Sequence, residues 1–449
     1  MFKRIKFPIL ILLVISIVFI FIISSCKAEA IVETTGEVVE VAEEITINVW
    51  HTGVSALDWF DKWSSEYSKI HPNVKWNSII FDASTPEKLF LALETGQNID
   101  LFYSHVNWLK QTIPLTESFP VEVLSPEYLL KTTTQHEPLI IDGKVLTYAY
   151  GVMTAGLLIN TDYWDEAGLT EEDIPKTWEE AAKVAEKLTT RAENGAIIRA
   201  GWNFENNYDL WQELNYQQGS FLVNADGTYN INTEIGRKSA QYLQDLYYKY
   251  KVCDPGFTSC FDSFGNGSSA MIHSWGWIEQ YYKTSFPELK YRWITIPTFD
   301  DSIIPPAYEQ NNYELSYGVA KNTSEEAKAV CFDFQKFIFD NDEAIFEKCV
   351  QFGIVPSKIS VSENYKFDEP QTSQASIMER TIWTGTAGSS TLTTLKNKYI
   401  GGEIMTSNKS VEEVLAAFQK EFDTMDKADP SWERKYKYED ELSDPEKLQ

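Results

Sequence analysis

The chain has 449 residues and a formal net charge of -27, with 39 Lys and Arg against 66 Asp and Glu. That balance argues against nucleic acid or an anionic membrane surface as partner, because phosphate recognition needs clustered cations. Aromatic residues make up 14% of the chain, with 14 Trp, 23 Tyr and 25 Phe; most serve as core, and Trp and Tyr also suit a surface that meets a polar ligand rich in C–H groups.

At the N-terminus, Lys3, Arg4 and Lys6 precede the uncharged residues 7–23, the n-region and h-region of an export signal. The apolar run ends in Ile23, Ser24, Ser25 and Cys26, which resembles the lipobox of a bacterial lipoprotein. The resemblance implies that residues 1–25 are removed and Cys26 carries lipid. Those 25 residues hold three cations and no acid, so the mature net charge becomes -30. Two other readings stay open: an uncleaved anchor, since the 17 residues just span a bilayer, and an ordinary signal in which Cys26 is incidental. All three put the body outside the cytoplasm. Residues 27–44 hold six Glu and one Lys with no helical or strand period, so 26–44 reads as a flexible, self-repelling tether.

About 405 residues follow the tether, more than one core usually takes, so two lobes are expected. "ITINV" alternates as a strand, and the next segment repeats Ala56, Phe60, Trp63 and Tyr67 near helical spacing. Val74 to Phe81 reads as a second strand; Thr85 and Pro86 open a helix that Gly96 stops, and "IDLFY" is a third strand. Such a parallel α/β unit places ligands beyond the carboxyl ends of its strands. Trp50, His51, Thr52 and Gly53 lie there, as do Tyr103, Ser104 and His105. A second α/β region starts at "LTYAYGVMTAGLLINTDYW". In it, Thr177 and Glu180 fit a capping box ahead of a helix with Trp178, Ala181, Ala182, Ala185 and Leu188 on one face. Thr323 and Glu326 predict a second box, before a stripe of Ala327, Val330, Phe334, Phe337 and Ile338. Residues 430–449 form a charged tail.

Cys253 and Cys260 flank the turn-rich "VCDPGFTSC", and in an exported protein they are expected to pair. Cys331 and Cys349 read as buried thiols. Five His with no HExxH and no close cluster predict no metal site, and no cofactor is expected.

Four stretches in order, "INVWHTG", "GLLINTDYWDEAGLTEEDIPKTWEEAAKVAEKLT", "FGNGSSAMIHSWGWI" and "LSYGVAKNTSEEAKAVCFDFQKFI", span Ile45 to about Met425. This order resembles the extracellular solute-binding proteins of ABC importers, in the sugar-binding group that includes maltose-binding proteins. The resemblance implies a two-lobed α/β fold that traps ligand between its lobes by hinge closure. Three crossings match Thr147–Met153, Ile272–Trp275 and Leu315–Gly318. Lobe 1 is then expected to combine 45–148 with 274–316, and lobe 2 to combine 149–273 with 317–429. It further implies a carbohydrate ligand, ABC permease subunits as partners, a monomer, and no catalytic residue.

Carried over residue by residue, the resemblance implies stacking aromatics at Tyr103, Tyr208, Trp275 or Trp277, and Trp383. Trp50 joins them at the end of the first strand. A pyranose ring lays a C–H face on an aromatic plane while its hydroxyls need polar partners. His105, Asn206, Asn207, Asp209, Gln212, Glu309 and Asn311 are candidates for that polar rim. The charged residues that the maltose pattern has after the first strand are replaced by "HTGVSAL", which separates maltose itself from the sugar class. The same fold with a polyamine, an oligopeptide or an iron complex is one alternative. A secreted carbohydrate-active enzyme, which needs two placed carboxylates, is another, and a lipid-anchored adhesin or sensor without an importer is a third.

Overall fold

A computed structural model describes residues 43–424, apart from 53–54, 82–86, 137–138, 205–207, 221, 223, 225–227, 255, 300–308, 379–380, 383–389 and 408. The expected signal, Cys26, most of the tether, the tail, Asn206, Asn207 and Trp383 lie outside the described residues.

The strands that position the site are, in chain order, β1 (Ile45–Thr52), β2 (Val74–Phe81), β3 (Leu101–Phe102), β4 (Thr116–Glu117), β5 (Ala149–Asn160) and β6 (Met271–Trp275). They continue with β7 (Tyr291–Ile294), β8 (Glu309–Leu315), β9 (Gly318–Ala320), β10 (Val355–Pro356) and β11 (Thr381–Ile382). One sheet runs β2-β1-β3-β9-β4. Within it β1 is parallel to both β2 and β3, with Trp50 opposite Ile79 and Phe102. The helix Ser55–Ile70 connects β1 to β2 and buries Phe60, Trp63 and Tyr67 of the face its periodicity predicted, with Trp59 beside them. Glycine at position 96 accepts φ of +68°, left-handed backbone that ends the helix Glu87–Glu94.

The second sheet runs β6-β5-β8-β11, with β7 and β10 also paired to β5. All twelve residues of β5 are buried, because partners flank it on both edges and cores cover both faces. Tyr150 and Met153 belong to one apolar core, and Ala155, Leu157 and Ile159 to another, so β5 passes from core to core near Thr154.

The membership of those cores corrects the expected lobe boundaries. The first core joins Ile47 to Tyr148 with Tyr317, Val319, Phe334, Ile338 and Val361. Residues 317–361 therefore return to the first body, because β9 pairs with β3 and β4 and the helix Glu325–Asp340 packs beside them. The second core joins Ala155 to Met271 with Ile294, Ile296 and the segment from Leu392 to Phe422. The strand β7 belongs there rather than with lobe 1, since it pairs with β5 over Leu157–Asn160.

Two further expectations are settled locally. The box at Thr177 forms: its hydroxyl accepts from Glu180 N–H at 3.2 Å, and Glu180 Oε2 accepts from Thr177 N–H at 3.0 Å. At the later helix the cap lies one residue on, where Ser324 accepts from Ala327 N–H at 3.2 Å. Thr323 instead donates to Ile99 O at 3.2 Å, which ties the turn to the first sheet. Cys253 and Cys260 are two buried thiols rather than the expected disulfide. Cys253 donates to Asn203 Oδ1 at 3.5 Å, while Cys260 packs with Phe264, Ile272 and Tyr282 in a separate apolar cluster. Cys331 and Cys349 are buried thiols as well.

Candidate functional site

The carboxyl ends of β1, β2 and β3 carry a contiguous set of rings. Trp50 meets Phe81 at 5.9 Å and Phe81 meets Trp108 at 6.1 Å. Trp108 lies 6.1 Å from Tyr103 and 5.1 Å from His105. Trp50, Tyr103, His105 and Trp108 are half-buried, with apolar faces gathered where the strand order predicted a ligand. Trp108 was not foreseen; its one signal was its place five residues past Tyr103. Burial lowers His105 to a pKa of about 4, so the ring is neutral at pH 7. His51, from the same predicted loop, faces inward instead: it is buried, bonded to Tyr317 Oη at 2.7 Å and Ser78 Oγ at 3.1 Å.

Behind these rings lies Glu314 of β8. Tyr103 donates to Glu314 Oε2 at 3.3 Å, and Lys348 Nζ lies 3.4 Å from Glu314 Oε1. Only 5% of the Glu314 side chain and 2% of that of Lys348 are exposed. Burial pushes Glu314 up and Lys348 down, each opposed by the charge of the other. The ammonium also sits 3.8 Å from the Phe352 ring centroid.

A second carboxylate stands at the other core. Asp209 begins the helix Asp209–Tyr216, where the exposed N–H groups favour negative charge. It forms an ion pair with Lys396. Lys396 Nζ also donates to Gln212 Oε1 at 3.2 Å. Burial would raise the Asp209 pKa, but Lys396, His273 and Trp275 together hold it below the ordinary value. His273 itself is buried, and burial lowers it to about 4. The Asp209 side chain remains 48% exposed, whereas that of Lys396 is 5% exposed.

Trp275 ends β6 and packs against both the first and the second core. Trp277, the other member of the predicted pair, meets Phe261 at 5.2 Å and leads into the helix Ile278–Ser285. Tyr208 is only 6% exposed; a Cβ on Gly401 would lie 2.1 Å from its Cζ, so glycine there makes room for the ring. The structure thus seats Tyr208 in the second core. Gln212 and Asn311 are buried too, and Asn311 donates to Thr381 Oγ1 at 2.9 Å. Glu309 pairs through its backbone with Thr381 of β11. Among the described residues no three of His, Cys, Asp and Glu gather as metal ligands.

Two α/β cores joined by a buried crossing strand, with Trp275 packed against both, define a two-lobed periplasmic-binding-protein fold. Solved structures agree: maltose-bound T. maritima MalE3 superposes with a TM-score of 0.67 at 18% identity, over 84% of this chain and 99% of that one. A Listeria monocytogenes ABC substrate-binding protein in complex with cycloalternan gives 0.69 at 16% identity, over 85% and 98%. The chain belongs to the bacterial extracellular solute-binding protein family, whose model matches residues 54–344. It is 24% identical over 202 residues to a probable amino-acid ABC transporter periplasmic-binding protein of Sinorhizobium fredii, a match covering 42% of this chain and 46% of that protein. It is 21% identical over 356 residues to the lactose-binding protein of Rhizobium radiobacter, covering 73% of this chain and 78% of that one.

Proposed function

We propose that this protein captures a neutral carbohydrate between its lobes, outside the cytoplasm, and delivers it to an ABC permease. The observation that carries the reading is Trp275. It touches both cores and stands beside Asp209, a half-exposed carboxylate whose charge a buried lysine already balances. An aromatic face beside a charge-compensated acceptor suits a sugar, which offers C–H surface and neutral hydroxyl donors. A polyamine would favour uncompensated carboxylates, but Asp209 and Glu314 each have a lysine partner. The sugar-bound structural neighbours and the lactose-binding relative point the same way. Lipid on Cys26 and the acidic tether would hold the body near its permease. The mechanism is noncovalent, with stacking and hydroxyl hydrogen bonds stabilising the closed state, and it requires no catalytic group.

The test is a thermal-shift screen of the whole chain in detergent against maltose, lactose, mannobiose, amino acids and spermidine. A ligand that binds the folded state raises the melting temperature by mass action. A rise with a neutral sugar supports the reading. A rise only with an amino acid or spermidine would keep the binding protein and overturn the ligand class. Separately, Cys26→Ala should move the protein from the membrane fraction to the medium or periplasm; retention would favour an uncleaved anchor.

A further inference from the structure

Asp209 is open on one side and closed on the other. Its closed side meets Lys396, the last residue of the helix Ser390–Lys396, which is buried with a side-chain exposure of 5%. The ammonium is held in place by more than the carboxylate. Gln212 Nε2 donates to Tyr216 Oη at 3.1 Å, which turns its carbonyl toward Lys396 at 3.2 Å. A lysine ammonium has three donors and no acceptor, and stripping a buried one of its partners is costly. Lys396 is therefore a fixed cation. An ionised carboxylate has about four acceptor positions, and Lys396 takes one of them. The remaining capacity faces the 48% of the side chain that is open. His273, neutral at pH 7, adds no second positive charge there.

We propose that Lys396 is a specificity-determining residue: a buried counter-cation behind Asp209 that reserves the carboxylate's open side for neutral hydroxyl donors and excludes cationic ligands. The inference deepens the carbohydrate reading and rests on it for the identity of the preferred ligand, but its charge logic is tested separately. An incoming hydroxyl meets an acceptor already aimed by Lys396. An incoming ammonium meets an ion pair whose positive member cannot move aside, so its attraction to Asp209 is largely cancelled at short range.

The experiment measures binding of maltose, lactose, mannobiose and spermidine by calorimetry to the wild type, Lys396→Met, Asp209→Asn and the double variant, each shown to fold by circular dichroism. Lys396→Met should bind spermidine at least about tenfold more tightly than the wild type does, and the double variant, neutral again, should lose that gain. Equal spermidine affinity in wild type and Lys396→Met overturns the inference, whatever the sugars do. Should Lys396→Met fail to fold, Asp209→Asn decides: it leaves the ammonium uncompensated and should bind lactobionate about tenfold better than the wild type, and no gain overturns the inference. A wild type that binds no neutral sugar removes the carbohydrate reading alone, since the spermidine and lactobionate arms compare charge variants of one chain.

Discussion

Two buried lysines, Lys348 and Lys396, do the same electrostatic task in different settings. Each faces a carboxylate that stands beside a candidate site aromatic: Lys348 with Glu314 and Tyr103, Lys396 with Asp209 and Trp275. They differ in the acid. Glu314 is 5% exposed and Asp209 is 48% exposed. A sealed pair must satisfy its own desolvation, so it acts on the fold by fixing β8 against the helix Asp342–Phe352 and on the site only through Tyr103. A pair with one open acid keeps unused acceptor capacity, which is what a ligand can take. The opposite pKa directions express this: burial wins at Glu314, and the partners win at Asp209.

The comparison breaks most visibly in stability. Lys348→Met leaves Glu314 buried without its cation and should cost about 3–5 kcal/mol in denaturant unfolding, whereas Lys396→Met, beside a half-exposed acid, should cost about 1 kcal/mol or less. Equal losses would mean the two settings are alike. Next in size, Trp275→Ala should weaken sugar binding by roughly 2–3 kcal/mol with the fold retained; unchanged calorimetric affinity would remove Trp275 from the site. Thr177→Ala, far from either pair, should lower stability by about 1 kcal/mol through its capping box and leave affinity alone. The smallest effect sharpens the comparison by sign. Asp209, held low in the fold, contributes stability present above the unfolded pKa near 4 and lost as pH falls through its folded value. Glu314, held high, contributes in the opposite direction, losing stability as pH rises above about 4 toward its folded value. The stability penalty of Asp209→Asn should therefore shrink on acidification, and that of Glu314→Gln should grow. Melting curves from pH 3 to pH 7 that move together would contradict the assigned environments.

Much of this was legible in the chain. The helix over Ser55–Ile70 and the box at Thr177 follow from apolar periodicity and capping chemistry, which are local properties. The clustering of Trp50, Tyr103 and His105 followed from a rule about strand ends. The misplaced features share a cause. Thr323 looked like a cap, but its hydroxyl is taken by Ile99 O, 224 residues away in sequence. Tyr208 looked like a ligand platform, but Gly401 opens a core seat for it. Trp275 and Trp277 were indistinguishable in "SWGW", and strand alternation alone gave both the same face.

By itself, then, the sequence determined the alternation of strands and helices, the apolar face each presents, and the order of motifs that marks the family, because each of these is encoded within a few turns of chain. The tertiary structure alone decided that Tyr317 to Val361 return to the first core, that Cys253 and Cys260 stay apart, and that Lys396, 187 residues from Asp209, becomes its counter-cation. Lys396 is one of 39 Lys and Arg, and nothing in its neighbourhood of sequence sets it apart. What distinguishes it is burial beside a particular acid, which exists only once two distant segments pack against each other.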